Sequence, residues 1–133
     1  MYKKSYKGFV VWMIAFLAGM VAICFLSVKD ENVLMRLIML LTSWYMAGLS
    51  FHVWRTERVY WYNGTTFEAA EAAGPERRKM FAWRHFRIFG GFALLMTVLS
   101  CTMQLLGWSA WIDFAVGSVG ICVACFMTIP IKL

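Results

Sequence analysis

Four long stretches of this chain carry no Asp, Glu, Lys or Arg, and they constrain the fold more than any other feature. The first runs from Gly8 to Val28, and the second from Leu37 to Trp54 with His52 near its end. The third covers Ile88 to Ile112, interrupted by the turn-forming Gly107-Trp108-Ser109, and the fourth covers Phe114 to Ile131. A helix needs about 20 apolar residues to cross a hydrocarbon core of about 30 Å. The runs therefore predict four transmembrane helices, near 8–28, 33–54, 88–106 and 110–130. A transmembrane barrel would alternate apolar and lumen-facing polar residues along each strand. These runs are apolar all round, so the helix, which satisfies its own backbone, is the expected element.

Composition excludes the main alternatives. The chain is 62% apolar and 15% charged, against roughly 45–50% and about 25% in a soluble domain. A water-soluble globule of 133 residues has too little interior to hide that much apolar surface. The same composition arithmetic excludes a disordered chain and a disulfide miniprotein. The expected fold class is an all-α integral membrane protein, a single membrane domain over residues 1–133. The first run is too long for the usual signal-peptide core of about 7–15 residues, and no small-x-small site follows it. It is expected to stay as a span.

Orientation follows from the basic residues. Lys3, Lys4 and Lys7 precede the first span, Arg55, Arg58, Arg77, Arg78, Lys79, Arg84 and Arg87 fall between the second and third, and Lys132 follows the fourth. That places 11 of the 13 basic residues on one side, leaving Lys29 and Arg36 beside Asp30, Glu31 and Asp113 on the other. An even number of spans puts both termini on the basic side. The expectation is an inner (plasma) membrane protein of bacterial type, with both termini and the long loop cytoplasmic.

Two connections are tight, Lys29-Asp30-Glu31-Asn32 and Gly107-Trp108-Ser109. Short links force antiparallel neighbours, so the spans should form two antiparallel hairpins. Small residues at four-residue spacing favour close helix contact in lipid, and Ala15/Gly19, Ser43/Ala47 and Gly120/Ala124 have that spacing, with Gly90-Gly91 at the inner end of the third helix. Tyr2, Tyr6, Trp12, Trp54, Tyr60, Trp61, Trp108 and Trp111 cluster at the span ends and read as interfacial anchors.

The loop 55–87 is the only soluble part and is expected to be partly helical. Asn63-Gly64 is a turn signal. Thr65-x-x-Glu68 fits a capping box, Phe67 to Ala73 favours a short helix stopped by Gly74, and Pro75 with Glu76 suits the next helix start. From Pro75 onward Met80, Phe81, Trp83, Phe86 and Phe89 interleave with Arg77, Arg78, Lys79, Arg84 and Arg87. This pattern predicts a basic amphipathic helix lying on, or feeding into, the membrane surface, where its cations meet anionic headgroups. Tyr60, Trp61, Arg77, Arg78, Lys79, Trp83, Arg84 and Arg87 are the candidate lipid- or partner-binding residues. A basic collar is also what topology alone requires. Nucleic acid is not expected beside so much lipid-facing sequence.

Reactive constellations are sparse. Cys122-Val-Ala-Cys125 places two thiols at i and i+3 on one helix face, a spacing used by thiol oxidoreductases. No cysteine falls in an outer loop to relay electrons, and Cys24 and Cys101 lie within spans, where cysteine serves equally as a small packing residue. His52 and His85 have no second ligand at helical spacing, so no metal site is expected, and no cofactor fingerprint or GxSxG occurs. His52 is expected at the inner interface with its polar tip in reach of water. No acid lies mid-membrane, which disfavours a proton-coupled exporter. Arg36 and Asp113 each lie about one turn inside a span near the outer face, where they can snorkel or pair with each other; as a candidate ion pair they would tie the two hairpins together. Thr42, Ser43, Tyr45, Ser50, Thr97, Ser100, Thr102, Gln104 and Ser118 could line a path or bond neighbouring helices. The leading expectation is a non-enzymatic accessory or immunity-type membrane subunit, in a homo-oligomer or a larger membrane complex. A homo-oligomeric channel or small-solute transporter comes second, and a thiol oxidoreductase using Cys122 and Cys125 third.

Overall fold

The computed structural model describes residues 2–26, 29–62 and 64–133. It is all-helical: α1 (Lys7–Phe25), α2 (Glu31–Thr56), a single 3-10 turn at Val59–Trp61, α3 (Phe67–Leu105) and α4 (Ala110–Thr128). All four helices are long and apolar enough to cross a membrane, and the chain is read as an integral membrane protein on that ground. The expected spans match these helices, with differences at the ends. The first helix stops at Phe25, short of the expected 28, and Val28 lies outside the described residues. The second begins two residues early, because Asp30 accepts the Asn32 amide on its carboxylate at 2.8 Å and so satisfies a free donor of the first turn.

The helix that starts after Gly74 and the third span form one rod. Gly74 separates this rod from the short helix before it with φ 78° and ψ 168°, a positive-φ conformation that glycine adopts without a Cβ penalty. Beyond it, residues 75–105 run on without interruption, and at 1.5 Å per residue they extend about 46 Å. A hydrocarbon core takes up only about 30 Å of that length, so the rod is longer than one crossing needs, and its part before Ile88 is termed the stalk. The basic amphipathic stretch is thus helical and continuous with the third span. The cap of the short helix before Gly74 is corrected by one residue: Thr66, not Thr65, is the N-cap, accepting the Ala69 amide at 3.1 Å. Gly64 has the positive φ (85°) expected of a turn, while Asn63 lies outside the described residues.

The hairpins do not contribute equally. Helices α2, α3 and α4 pack on one another, and α1 packs chiefly against α2. No residue of α1 is buried. Ala15 is exposed, so Ala15/Gly19 is not a paired packing site, although Leu41 lies against Gly19. On α2 the small residues do pack: Arg36, Met39, Ser43, Ala47, Ser50 and Val53 form its buried stripe. The facing stripe on α3 is Arg78, Ala82, His85, Phe89, Ala93, Met96 and Ser100. Helix α4 approaches closely at Gly117, where a Cβ would overlap the Met39 and Met96 methyl groups, and at Gly120, where it would meet the Phe92 ring at 2.5 Å.

Candidate functional site

Two polar arrangements hold the bundle, one at each end. At the less basic end Arg36 Nε donates to Asp113 Oδ2 at 2.6 Å. Its remaining nitrogens donate to Gln104 Oε1 and to the Trp108 carbonyl. Both partners are buried, with the Asp113 side chain fully enclosed. The Asn32 side-chain carbonyl also accepts the Ala110 amide at 2.9 Å. The start of α2 therefore caps the start of α4, a link the sequence reading missed. Trp108 and Trp111 stand exposed beside this end, where an interfacial anchor belongs.

At the opposite end the N-terminal residues, the segment between α2 and α3, and the C-terminal residues converge on one small core. Val53, Val59, Tyr60, Ala70, Phe81 and Ala82 are buried there, with Tyr2, Phe67, Ile131 and Leu133 among the residues packed around them. Arg78 is its central cation. Its Nε and Nη2 donate to Glu57 Oε2 at 3.1 and 2.9 Å, and Nη1 donates to the Ala70 carbonyl at 3.0 Å. The guanidinium lies 4.1 Å over the Tyr2 ring. Burial pushes the Tyr2 phenol up to about 12, against the lowering effect of Arg78, so Tyr2 keeps its proton and donates a hydrogen bond to the Glu57 carbonyl at 2.6 Å.

The same core straps down the N-terminal residues. Tyr60 Oη accepts the Ser5 amide at 2.8 Å and donates to the Ser5 carbonyl at 2.9 Å. Trp61 Nε1 also donates to that carbonyl, at 3.2 Å. His52 stacks on Trp61 with centroids 5.6 Å apart, and its Nε2 is buried without a partner among the described residues. His52 as a whole is half-buried. His85 stacks on Tyr62 at 4.3 Å and bonds the Phe81 carbonyl through Nδ1 at 3.0 Å. Burial lowers the His85 pKa, with the carbonyl opposing it, and burial pushes Tyr62 up to about 12.

These facts divide the expected binding residues. Arg78 and Tyr60 are buried and spend their polar groups inside the chain, so neither is free to meet a headgroup or a partner. Trp61 is half-buried in the same core. The signal separating Arg78 from its neighbours was present in the spacing. It falls in register with Ala82, His85, Phe89 and Ala93, whereas Arg77 and Lys79 lie off that stripe. Arg77, Lys79, Trp83, Arg84 and Arg87 are exposed, as is Met80. Arg77, Met80, Arg84 and Arg87 follow helical spacing along one face. Lys79 reaches Glu57 at 3.6 Å from a largely exposed position.

The face carrying Arg84 and Arg87 continues into a groove of about 590 Å³ between α3 and α4, walled by Gly91, Leu95, Val123 and Met127 among others. Cys122 and Cys125 are both exposed free thiols on α4, with neighbours in the membrane-spanning stretch. No cluster of His, Cys, Asp and Glu able to hold a metal ion occurs among the described residues. Comparison of the chain with protein-family models, with curated proteins and with solved structures found no match.

Proposed function

We propose that the protein is a non-enzymatic accessory subunit of a membrane complex, of the kind that associates with or shields another membrane protein. In this reading it resides in an inner (plasma) membrane with both termini and the α3 stalk in the cytoplasm, as the distribution of basic residues favours. The stalk is the contact element. The observation that carries the reading is its outward face: Arg77, Arg84 and Arg87 are exposed there together with two large apolar side chains, Met80 at 55% and Trp83 at 41%. Aromatic residues, Met and Arg are the types enriched at protein interfaces. Behind that face the Arg78–Glu57 pair and the aromatic core hold the stalk in a fixed position, and a preorganised surface binds at lower entropic cost.

The test is the mass of the complex extracted from its native membrane in mild detergent, for wild type and for Met80→Ala/Trp83→Ala. A hetero-complex that disappears in the double variant supports the proposal. A homo-oligomer indifferent to the double variant moves the weight to a channel or small-solute transporter, with solute flux from reconstituted protein as the follow-up. Loss of activity in Cys122→Ser would instead favour a thiol oxidoreductase.

A further inference from the structure

The groove between α3 and α4 has one basic end and apolar walls. Arg84 and Arg87 stand at the mouth, and Ile88, Gly91 and Leu95 continue the same face of α3 downward. Val123 and Met127 form the opposite wall on α4. Among the described residues no acidic side chain lines the groove, and neither Arg84 nor Arg87 takes part in an ion pair. A second, smaller recess beside Arg84 adds Arg77 and Lys132, again with no acidic side chain among the described residues.

Length decides what the groove suits. From Arg84 to Leu95 the helix rises about 16 Å, close to half of a hydrocarbon core of about 30 Å. The groove therefore spans one leaflet, with its cations at the headgroup level and its apolar walls at acyl-chain depth. Its volume of about 590 Å³ lies within the range of specific small-molecule sites, about 300–1,000 Å³. Two glycines shape it. Phe92 packs against Gly120, which fixes how close the two helices come, while nothing lies within 4 Å of a Cβ placed on Gly91. Gly91 is thus an open stretch of the groove wall.

We infer that this groove binds one anionic phospholipid of the leaflet at the basic end, with its phosphate on Arg84 and Arg87 and an acyl chain along Gly91 and Leu95. A guanidinium pair recognises phosphate by charge-assisted hydrogen bonds, and basic pockets between membrane helices are suited to acidic headgroups. The inference rests on the membrane-embedded reading of the chain, but not on the accessory role. It is a property of the isolated protein, so it can fail while the hetero-complex survives, and the reverse.

The experiment is native mass spectrometry of the full-length, delipidated protein, titrated with phosphatidylglycerol and with phosphatidylcholine of the same acyl chains. Wild type is expected to retain one phosphatidylglycerol at about tenfold lower concentration than phosphatidylcholine, since two cations contribute at the headgroup. Arg84→Gln/Arg87→Gln should remove the preference. Gly91→Leu should remove retention of both lipids without lowering the melting temperature, because the new side chain enters open space. Equal retention of the two lipids by wild type overturns the inference. So does a preference that survives Gly91→Leu, which would assign it to the surface collar alone. A protein or a second copy of the chain that stays in place through delipidation and blocks lipid also overturns it.

Discussion

Arg36 and Asp113 lie 77 residues apart in sequence and 2.6 Å apart in space, and their contact joins α2 to α4 inside the bundle. The pair is buried on both sides, so removing one partner leaves an uncompensated charge in a low-dielectric setting. Breaking such a pair typically costs about 3–5 kcal/mol, whereas replacing both partners by apolar residues is often close to neutral. Arg36→Met and Asp113→Leu should each lower the melting temperature in detergent sharply, and the double variant should recover most of the loss. Additive losses in that cycle would mean that the two side chains act independently.

Arg78 makes a comparable connection at the other end, with different geometry. Three of its nitrogens are used, two on Glu57 and one on the Ala70 carbonyl, and its plane covers Tyr2. An ammonium is a point charge and cannot reproduce a planar fork that also stacks on a ring. Arg78→Lys should therefore behave much like Arg78→Ala. Hydrogen exchange of the amides in residues 67–73 is the measurement, since those residues lose their tie to the stalk in either variant. Wild-type protection in Arg78→Lys would show that charge alone suffices there.

How much of this was legible in the sequence depends on the kind of signal. The spans were legible because a run free of charge is a local property, and two isolated charges at the same depth marked Arg36 and Asp113 as a candidate pair while leaving each equally able to snorkel. Facing was not. A helix that is apolar all round gives no moment to show which side meets its neighbours, so nothing marked α1 as the peripheral helix or Ala15 as exposed. The core at the basic end was hidden for another reason. Tyr2, Ser5 and Tyr60 are brought together by topology, and the two tyrosines looked locally like membrane anchors. Among the loop cations, only Arg78 carried a local cue, its register with Ala82 and His85.

His85 should make the basic end sensitive to acid. Burial holds its folded pKa below the ordinary value of 6.5, so the unfolded chain takes up a proton first as pH falls. Its contribution is intact above about pH 6.5 and is lost progressively below that point. The melting temperature of wild type should fall between about pH 7 and pH 5, and the fall should be shallower in His85→Phe, which keeps a ring against Tyr62. Parallel slopes for the two proteins would assign the acid sensitivity to other groups.

The strap at Ser5 gives the most local prediction. Tyr60 Oη both accepts from the Ser5 amide and donates to the Ser5 carbonyl, and Tyr60 is almost fully buried. Tyr60→Phe keeps the ring, which packs on Tyr2, Tyr6 and Phe67, but removes both bonds. A fully buried donor left without a partner costs about 1–3 kcal/mol, and the half-buried Ser5 amide stands at the low end of that range. That cost falls on the N-terminal residues rather than on the bundle, because Trp61 still donates to the Ser5 carbonyl while the amide has lost its acceptor. Trypsin should cut after Lys3, Lys4 and Lys7 several-fold faster in Tyr60→Phe than in wild type. The global melting temperature should move little. Unchanged cleavage would mean that aromatic packing alone holds the strap, and a large drop in melting temperature would mean that the strap and the bundle unfold together.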